Sequence, residues 1–413
     1  MKRKIINDPL YGFVSVQSDL ILEVISHPWF QRLRHIRQLG LADLVYPGAS
    51  HSRFQHALGA YHLMGQAIQS LRYKGVRISE EEAEAVQIAI LLHDIGHGPL
   101  SHALEETLLT GIKHESITYR FLIDLDKIFN GRLGLALKIF RDGYHRRFFH
   151  QLVSGQIDVD RLDYLERDSF YTGVREGIIG VDRIIDMLAV HKDHLVLEEK
   201  AVYSLENFIT ARRLMYWQVY LHKTSISSER MLVNVIRRAQ WLARAGHTPD
   251  CSAPLKLFLE HQVTLEDFSR KTNGIDYLNS YSLMDDHDIW SALKSWRSHA
   301  DPVLSLLSGM LLDRQTFYIE LSDKAVSKSA IQEAQAKVRK QFGLGVRDAG
   351  YLVGYGTVSN EAYVRGEKRI NILLKSGKVA DLATISDLPQ IKAMSRVVKK
   401  NFLCYPKILK SDR

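Results

Sequence analysis

The stretch "SEEEAEAVQIAILLHDIGHGPLSH", residues 79–102, limits what this chain can become more than any other. Ser79 stands where a helix N-cap is expected, three glutamates follow it, and the run behind them is apolar enough to be buried. The pattern stops at Gly96, Gly98 and Pro99. At that buried end stand His93 and Asp94, with His97 and His102 just beyond. An imidazole beside a carboxylate is costly to bury unless something binds both. The chain therefore has to fold around a polar centre inside a helical core.

Other segments repeat the helical period: "HESITYRFLIDL", "DIWSALKSWR" and the long "NFITARRLMYWQVYLHKTSISSERMLVNVIRRAQWLARAG", which ends at Gly246. Past Val338 the texture changes. "GYLVGYGTVSNEAYV" and "RINILLKSGKVADLATISDL" alternate apolar and polar residues around glycine turns, as short strands do. "HLVLEEKAVYSL" reads as a hairpin within the helical part. The expected fold is mainly α, with a helical body over residues 1–337 and a small C-terminal α+β portion over 338–413.

Composition narrows the class of function. No stretch nears the roughly 18 uninterrupted apolar residues of a membrane span, so no membrane role is expected. "MKRKIINDPLYG" meets Asn, Asp and Pro too early to read as a signal peptide. Cys251 and Cys404 are too few for a disulfide framework or a thiolate zinc site, which points to a reducing, cytoplasmic setting. The net charge of +8 suits polyanionic partners, nucleotides and nucleic acids alike.

Four polar clusters could carry chemistry: "SRFQHALG" with Arg53 and His56; the His93–His102 stretch; "HES" with His114 and Glu115; and "IDVDRLDYLERDS" with Asp158, Asp160, Arg161, Asp163, Tyr164 and Asp168. His93 and Asp94, about 100° apart around a helix axis, can both reach an ion lying between their directions. A catalytic site then needs further ligands, for which His56 and Asp160 are the candidates. Imidazoles with carboxylates suit a divalent ion such as Mn, Fe or Zn, and Mg less well. Such an ion makes water a nucleophile near neutral pH, and phosphate-ester hydrolysis further needs cations, here Arg53, Arg161 or Arg212, and an acid. Taken singly, each histidine is equally a hydrogen-bonded core residue and each arginine a surface one. Asp160, Asp163 and Tyr164 have the spacing of any charged helix face.

Taken in order, "SRFQH", "HDIGHGPLSH", "HE" and "IDVDRLDYLERD" resemble the HD-domain deoxynucleoside triphosphate triphosphohydrolases, the dNTPases and dGTPases. The likeness begins at "INDPLYG", runs through "PWFQRLRHIRQLG" to "YWQVYLHKT", and is weak after about residue 230. It implies the helical HD-domain fold, with His56, His93, Asp94 and Asp160 as ligands of a divalent metal. It makes His102 the general acid, supported by His114 and Glu115, with His97 near the α-phosphate. Arg53, Arg161, Tyr164 and Arg212 match phosphate contacts; Gln38, Leu39 and Asp168 match residues that hold the deoxyribose, and Tyr220 the ring that packs on the sugar. The implied reaction is attack by a metal- and Asp-activated water on the α-phosphorus. Lys4, Asn7, Gln31 and Arg34 match a regulatory nucleotide site, although Ser26 stands where a guanine-reading aspartate would be. Glu105 replaces an aspartate near the catalytic histidine. A homo-oligomer, dimer or tetramer, is also implied.

Two other functions share the same features. A different HD phosphohydrolase, such as a nucleoside monophosphatase or phosphodiesterase, would use the same metal site. A nucleic-acid-binding protein would use basic stretches such as "VIRRAQWLARAG" and "RVVKKNFLCYPK", which are equally ordinary amphipathic faces.

Overall fold

Ser79 caps its helix as expected: its side chain accepts from the Glu82 N–H, Glu82 reaches back to the Ser79 N–H, and the helix runs Glu80–Leu91. A second capping box, Ser52 with Gln55, opens the helix Arg53–Tyr73. These two helices pack on each other, and Arg53–Tyr73 also packs on Val159–Thr172. Leu63, Met64, Val86, Ile90, Leu162 and Leu165 are buried in this region, and each such side chain contributes about 1.5–3 kcal/mol by leaving water. The computed structural model describes residues 4–100, 102–360, 369–394 and 397–410, apart from the side chains of His102, Ala103, Glu106 and Ala393.

Helices dominate, including the expected His114–Ile128 and Asp286–Trp296, and the strands form three small sheets. β1 (Lys4–Asp8) and β2 (Gly12–Val16) make an antiparallel hairpin. β3 (Leu188–His191), β4 (His194–Glu198), β7 (Asn371–Leu373) and β8 (Val379–Asp381) form a second sheet, and β5 (Tyr318–Ser322), β9 (Val398–Tyr405) and β6 (Gly354–Asn360) a third. No described helix is long and apolar enough to cross a membrane.

Three differences from the sequence reading have physical causes. The hairpin spans Leu188–Glu198, one strand upstream of the expected place, because it turns at Lys192–Asp193, both left-handed, without the usual Asn-Gly signal. The residues after β4 enter the helix Val202–Met215. The long helical segment is divided: a π-helical turn at Tyr216–Tyr220 precedes a break, and a new helix begins at Lys223 with His222 as its N-cap. The division expected at 337/338 falls inside the helix Lys328–Phe342. Strands beyond it pair with the body, β7 running parallel to β4 with Leu197 opposite Ile372.

The basic stretches lie in regular elements whose apolar residues pack into the core, while Arg237, Arg244 and Lys399 stay exposed. "VIRRAQWLARAG" belongs to the helix Lys223–Arg244, where Arg238 is buried against Asp301 and Asp348. "VKKNFLCY" is β9, the middle strand of its sheet, with Phe402, Leu403 and Cys404 buried.

Candidate active site

Two helix starts and one helix end meet here. Arg53 and His56 lie in the first turn of Arg53–Tyr73, Asp160 in the first turn of Val159–Thr172, and His93 and Asp94 follow the end of Glu80–Leu91. Asp158 caps the second of these starts by accepting from the Arg161 and Gly155 N–H groups. Helix N-termini carry partial positive charge, so the arrangement favours an anionic ligand.

His56 Nε2 is 3.1 Å from Asp160 Oδ1 and 3.4 Å from His93 Nε2. His93 Nε2 is 3.4 Å from Asp160 Oδ1 and 3.3 Å from Asp94 Oδ1. The other nitrogen of each ring is engaged: His56 Nδ1 donates to Asp163 at 2.7 Å and His93 Nδ1 to the Ile90 carbonyl at 2.6 Å. Both Nε2 lone pairs therefore face a common point, the tautomers being assigned from these acceptors. Burial opposes charge on His56, but its hydrogen bonds to the accepting carboxylates of Asp160 and Asp163 outweigh it and raise its pKa to about 10. His93 is raised as well, against its burial, by Asp94 and Asp160. The carboxyls of Asp94 and Asp160 are held below the usual range, also against burial, chiefly by the charge of His93. Two Nε2 atoms 3.4 Å apart cannot each carry a proton without pressing two N–H groups together. A single cation meets the same electrostatic demand without that conflict. His56, His93 and Asp160 can bring ligand atoms within 4.8 Å of one another, and this donor set fits a divalent ion.

Asp94 also bonds Arg53 at 2.5 Å and faces His97 at 3.4 Å. His97 is pushed well below its usual pKa by burial and by Arg53, and its neutral ring stacks on His114 at 3.8 Å between centroids. Arg32, buried, donates to the carbonyls of Ile95, His97 and Met284 and so anchors this turn. Gly96 explains the glycine of "HDIGHG": a Cβ there would lie 2.3 Å from the Thr118 nitrogen and 2.4 Å from the His114 carbonyl oxygen, both backbone. Leu100 is left-handed at φ +48°, and its N–H is held by buried Asp286 at 2.7 Å.

A cleft of about 440 Å³ opens beside the ligand set, in the range of small-molecule sites. Its walls include Arg53, Asp94, His97, His114 and Asp160 together with Gln38, Leu39, Tyr164, Asp168 and Tyr220. Asp160, Tyr164 and Asp168 follow i, i+4, i+8, one helix face turned to the cleft. The Asp168 carboxylate bridges His51 Nε2 and the Tyr220 hydroxyl, each at 2.8 Å. Glu105 accepts from the His114 backbone at 2.7 Å and lies 3.1 Å from its Nδ1. Glu115 is 60% exposed, with its carboxylate 3.7 Å from that nitrogen.

Other expected residues lie elsewhere. Arg161 is fastened to Asp158 and to the Gly155 carbonyl, and the Arg212 guanidinium lies 5.8 Å from the Tyr216 ring centroid. Neither lines the cleft. His102 opens the helix His102–Leu108, but its side chain lies outside the described residues. Gln31 and Arg34 bond each other at 2.7 Å, while Lys4 and Asn7 are exposed on β1. Sequence reasoning missed Arg167, His51, Tyr216, Ser225 and Glu229. Only Arg167 carried a local signal, its four-residue spacing from Asp163.

Comparison with known proteins follows this geometry. An HD domain matches residues 53–168 and an HD associated region matches residues 179–246. The crystal structure of a phosphohydrolase from Bacteroides thetaiotaomicron is 48% identical, covers 98% of this chain and 100% of its own, and superposes with a TM-score of 0.94. The uncharacterized protein YwfO of Bacillus subtilis is 31% identical over 428 residues, covering 100% of this chain and 94% of its own length. A deoxynucleoside triphosphate triphosphohydrolase SAMHD1 homolog from Dictyostelium discoideum is 35% identical over 256 residues, 57% of this chain and 49% of that protein. The chain thus matches about half the length of that relative.

Proposed function

This chain belongs to the HD-domain family of metal-dependent phosphohydrolases, and on that premise we propose that it hydrolyses deoxynucleoside triphosphates to deoxynucleoside and tripolyphosphate. One observation carries this reading: a single cleft joins Asp94 and Asp160 of the ligand set to the bonded pair Tyr220–Asp168, so that a phosphate at one part and a sugar at the other can be held together. Likeness to a dNTP triphosphohydrolase over 57% of the chain supports the same choice of substrate.

His56, His93, Asp94 and Asp160 would hold one divalent ion, which supplies Lewis acidity toward the α-phosphate. The rest is the work of the chain. Arg53 and the helix N-termini offset charge on the phosphates, with Arg161, Tyr164 and Arg212 assigned to the same task. Water attacks the α-phosphorus and the bond to the 5′ oxygen breaks. That oxygen takes a proton from His102, the assigned acid, in whose support His114 and Glu115 are assigned, and His97 is assigned to the α-phosphate. Glu105 orients His114. Gln38, Leu39 and Asp168 hold the deoxyribose, and the Tyr220 ring crowds out a 2′-hydroxyl.

Product analysis tests the reading. Purified protein with each dNTP, alone and in pairs, and with Mn²⁺ or Mg²⁺, should give tripolyphosphate by ³¹P NMR. Orthophosphate or pyrophosphate would instead favour a nucleoside monophosphatase or phosphodiesterase. Turnover only with paired dNTPs would show activation by a nucleotide, for which Lys4, Asn7, Gln31 and Arg34 are the proposed site, and a homo-oligomer the proposed assembly.

A further inference from the structure

Ser225 and Glu229 sit four residues apart on the helix Lys223–Arg244, on one face, and both line the cleft. Neither is satisfied among the described residues. The Ser225 hydroxyl is buried without a partner among the described residues, and so is the Gln38 side-chain carbonyl on the same cleft. Among those residues no hydrogen bond or ion pair engages the Glu229 carboxylate; burial pushes its pKa up to about 7, opposed only by the charge of Arg230. Val219 and Leu221, just before this helix, and Leu39 and Ala42, beside Gln38, supply apolar wall to the same cleft. Unpaired polar groups in an apolar recess are costly unless a ligand meets them.

The rest of the cleft is already committed. A phosphate is repelled by a carboxylate, and the sugar belongs with Asp168 and Tyr220. What remains for Glu229 is the heterocycle. Resting on the dNTP reading above, we infer that Glu229 and Ser225 form the base-reading part of this cleft and that they select guanine. A carboxylate offers two adjacent acceptors and no donor. Guanine alone presents two adjacent donors, N1–H and the 2-amino group, with O6 next to them as an acceptor for the Ser225 hydroxyl. Adenine and cytosine set an amino donor beside a ring-nitrogen acceptor, and thymine sets one N–H between two carbonyls. Only the guanine edge complements a carboxylate followed by a hydroxyl.

The test measures kcat/KM for the four dNTPs, and calorimetric binding of analogues whose 5′ oxygen is replaced by a methylene group, in the parent, Glu229→Gln and Ser225→Ala. The glutamine keeps the shape and offers one donor with one acceptor. The parent should prefer dGTP, and Glu229→Gln should lower dGTP relative to dATP and dCTP by roughly tenfold to a hundredfold. Ser225→Ala should give a smaller loss confined to dGTP. If all four dNTPs are turned over and their ranking is unchanged in Glu229→Gln, the base-reading assignment falls and the triphosphohydrolase reading stands. If no dNTP is turned over but the dGTP analogue binds with a preference that Glu229→Gln removes, the reverse holds. If nothing is turned over and no analogue binds, both fall.

Discussion

Asp163 accepts from His56 Nδ1 at 2.7 Å and from the Arg167 guanidinium at 2.9 and 3.0 Å, while Arg167 also reaches Asp8 at 3.0 Å. A metal-ligand candidate is thus tied through one carboxylate to a buried arginine and on to the N-terminal hairpin. Because Asp163 orients the imidazole, Asp163→Asn should weaken Mn²⁺ binding by about 10- to 100-fold with little change of fold. Asp163→Ala should also cost about 3–5 kcal/mol of stability, because it leaves Arg167 buried with less compensation. Calorimetric Mn²⁺ titration and urea unfolding measure the two effects, and unchanged affinity in Asp163→Asn would show that the contact does not orient the ligand.

Gly59 lies under the same assembly. A Cβ there would fall 1.9 Å from Asp163 Oδ1 and 2.2 Å from Arg167 Nη2. Both side chains are locked by their mutual pairing, so Gly59→Ala should cost about 2–4 kcal/mol. It should also loosen the metal site. A urea midpoint within error of the parent would mean the pair can move aside.

Metal removal should abolish phosphohydrolase activity. Dialysis against a chelator, or the substitution Asp160→Ala, is expected to lower turnover about a thousandfold or more, since a bound cation supplies several kcal/mol of charge stabilisation. Adding back Mn²⁺ should restore the dialysed parent and leave Asp160→Ala inactive. Full activity of the chelated protein would remove the metal from the reaction.

Glu229 makes stability depend on pH. In the unfolded chain a glutamate ionises near 4.5, whereas burial carries this one up to about 7. Between those values the folded protein holds a proton that the unfolded chain has lost, so this group lowers stability as pH rises through that window. Glu229→Gln removes the effect. The gap in unfolding free energy between variant and parent should widen by about 2 kcal/mol from pH 5 to pH 8. Urea unfolding of the metal-free proteins at both pH values checks it, and a constant gap would place the carboxylate in water.

The legible parts of the fold were local. Ser79 and Glu82 form their capping box within four residues, and "HDIGHG" announces a buried helix end because the polar dyad and the breaking glycines are contiguous. The motif order also named the HD family, which the matched HD domain at residues 53–168 bears out. By contrast, the hairpin at Leu188–Glu198 was displaced by a Lys–Asp turn with no characteristic signal, and the pairing of Leu197 with Ile372 joins residues far apart in the chain. The π-helical turn at Tyr216–Tyr220 interrupts a segment whose periodicity is helical throughout, and only the packed chain shows where it breaks.

The sequence by itself pointed to the main helices and the Ser79 cap, because backbone propensity, capping and amphipathic spacing act over a few residues, and the order of its motifs named His56, His93, Asp94 and Asp160 as candidate ligands. Only the tertiary structure decided which of the carboxylates on "IDVDRLDYLERD" faces what. Asp160 meets the two histidines, Asp163 turns behind them to Arg167, and Asp168 closes on Tyr220. The same holds for Glu229, an ordinary helix glutamate until the cleft takes it in without a partner among the described residues. Burial and charge pairing depend on what distant segments bring to within a few ångströms, and no local pattern encodes that.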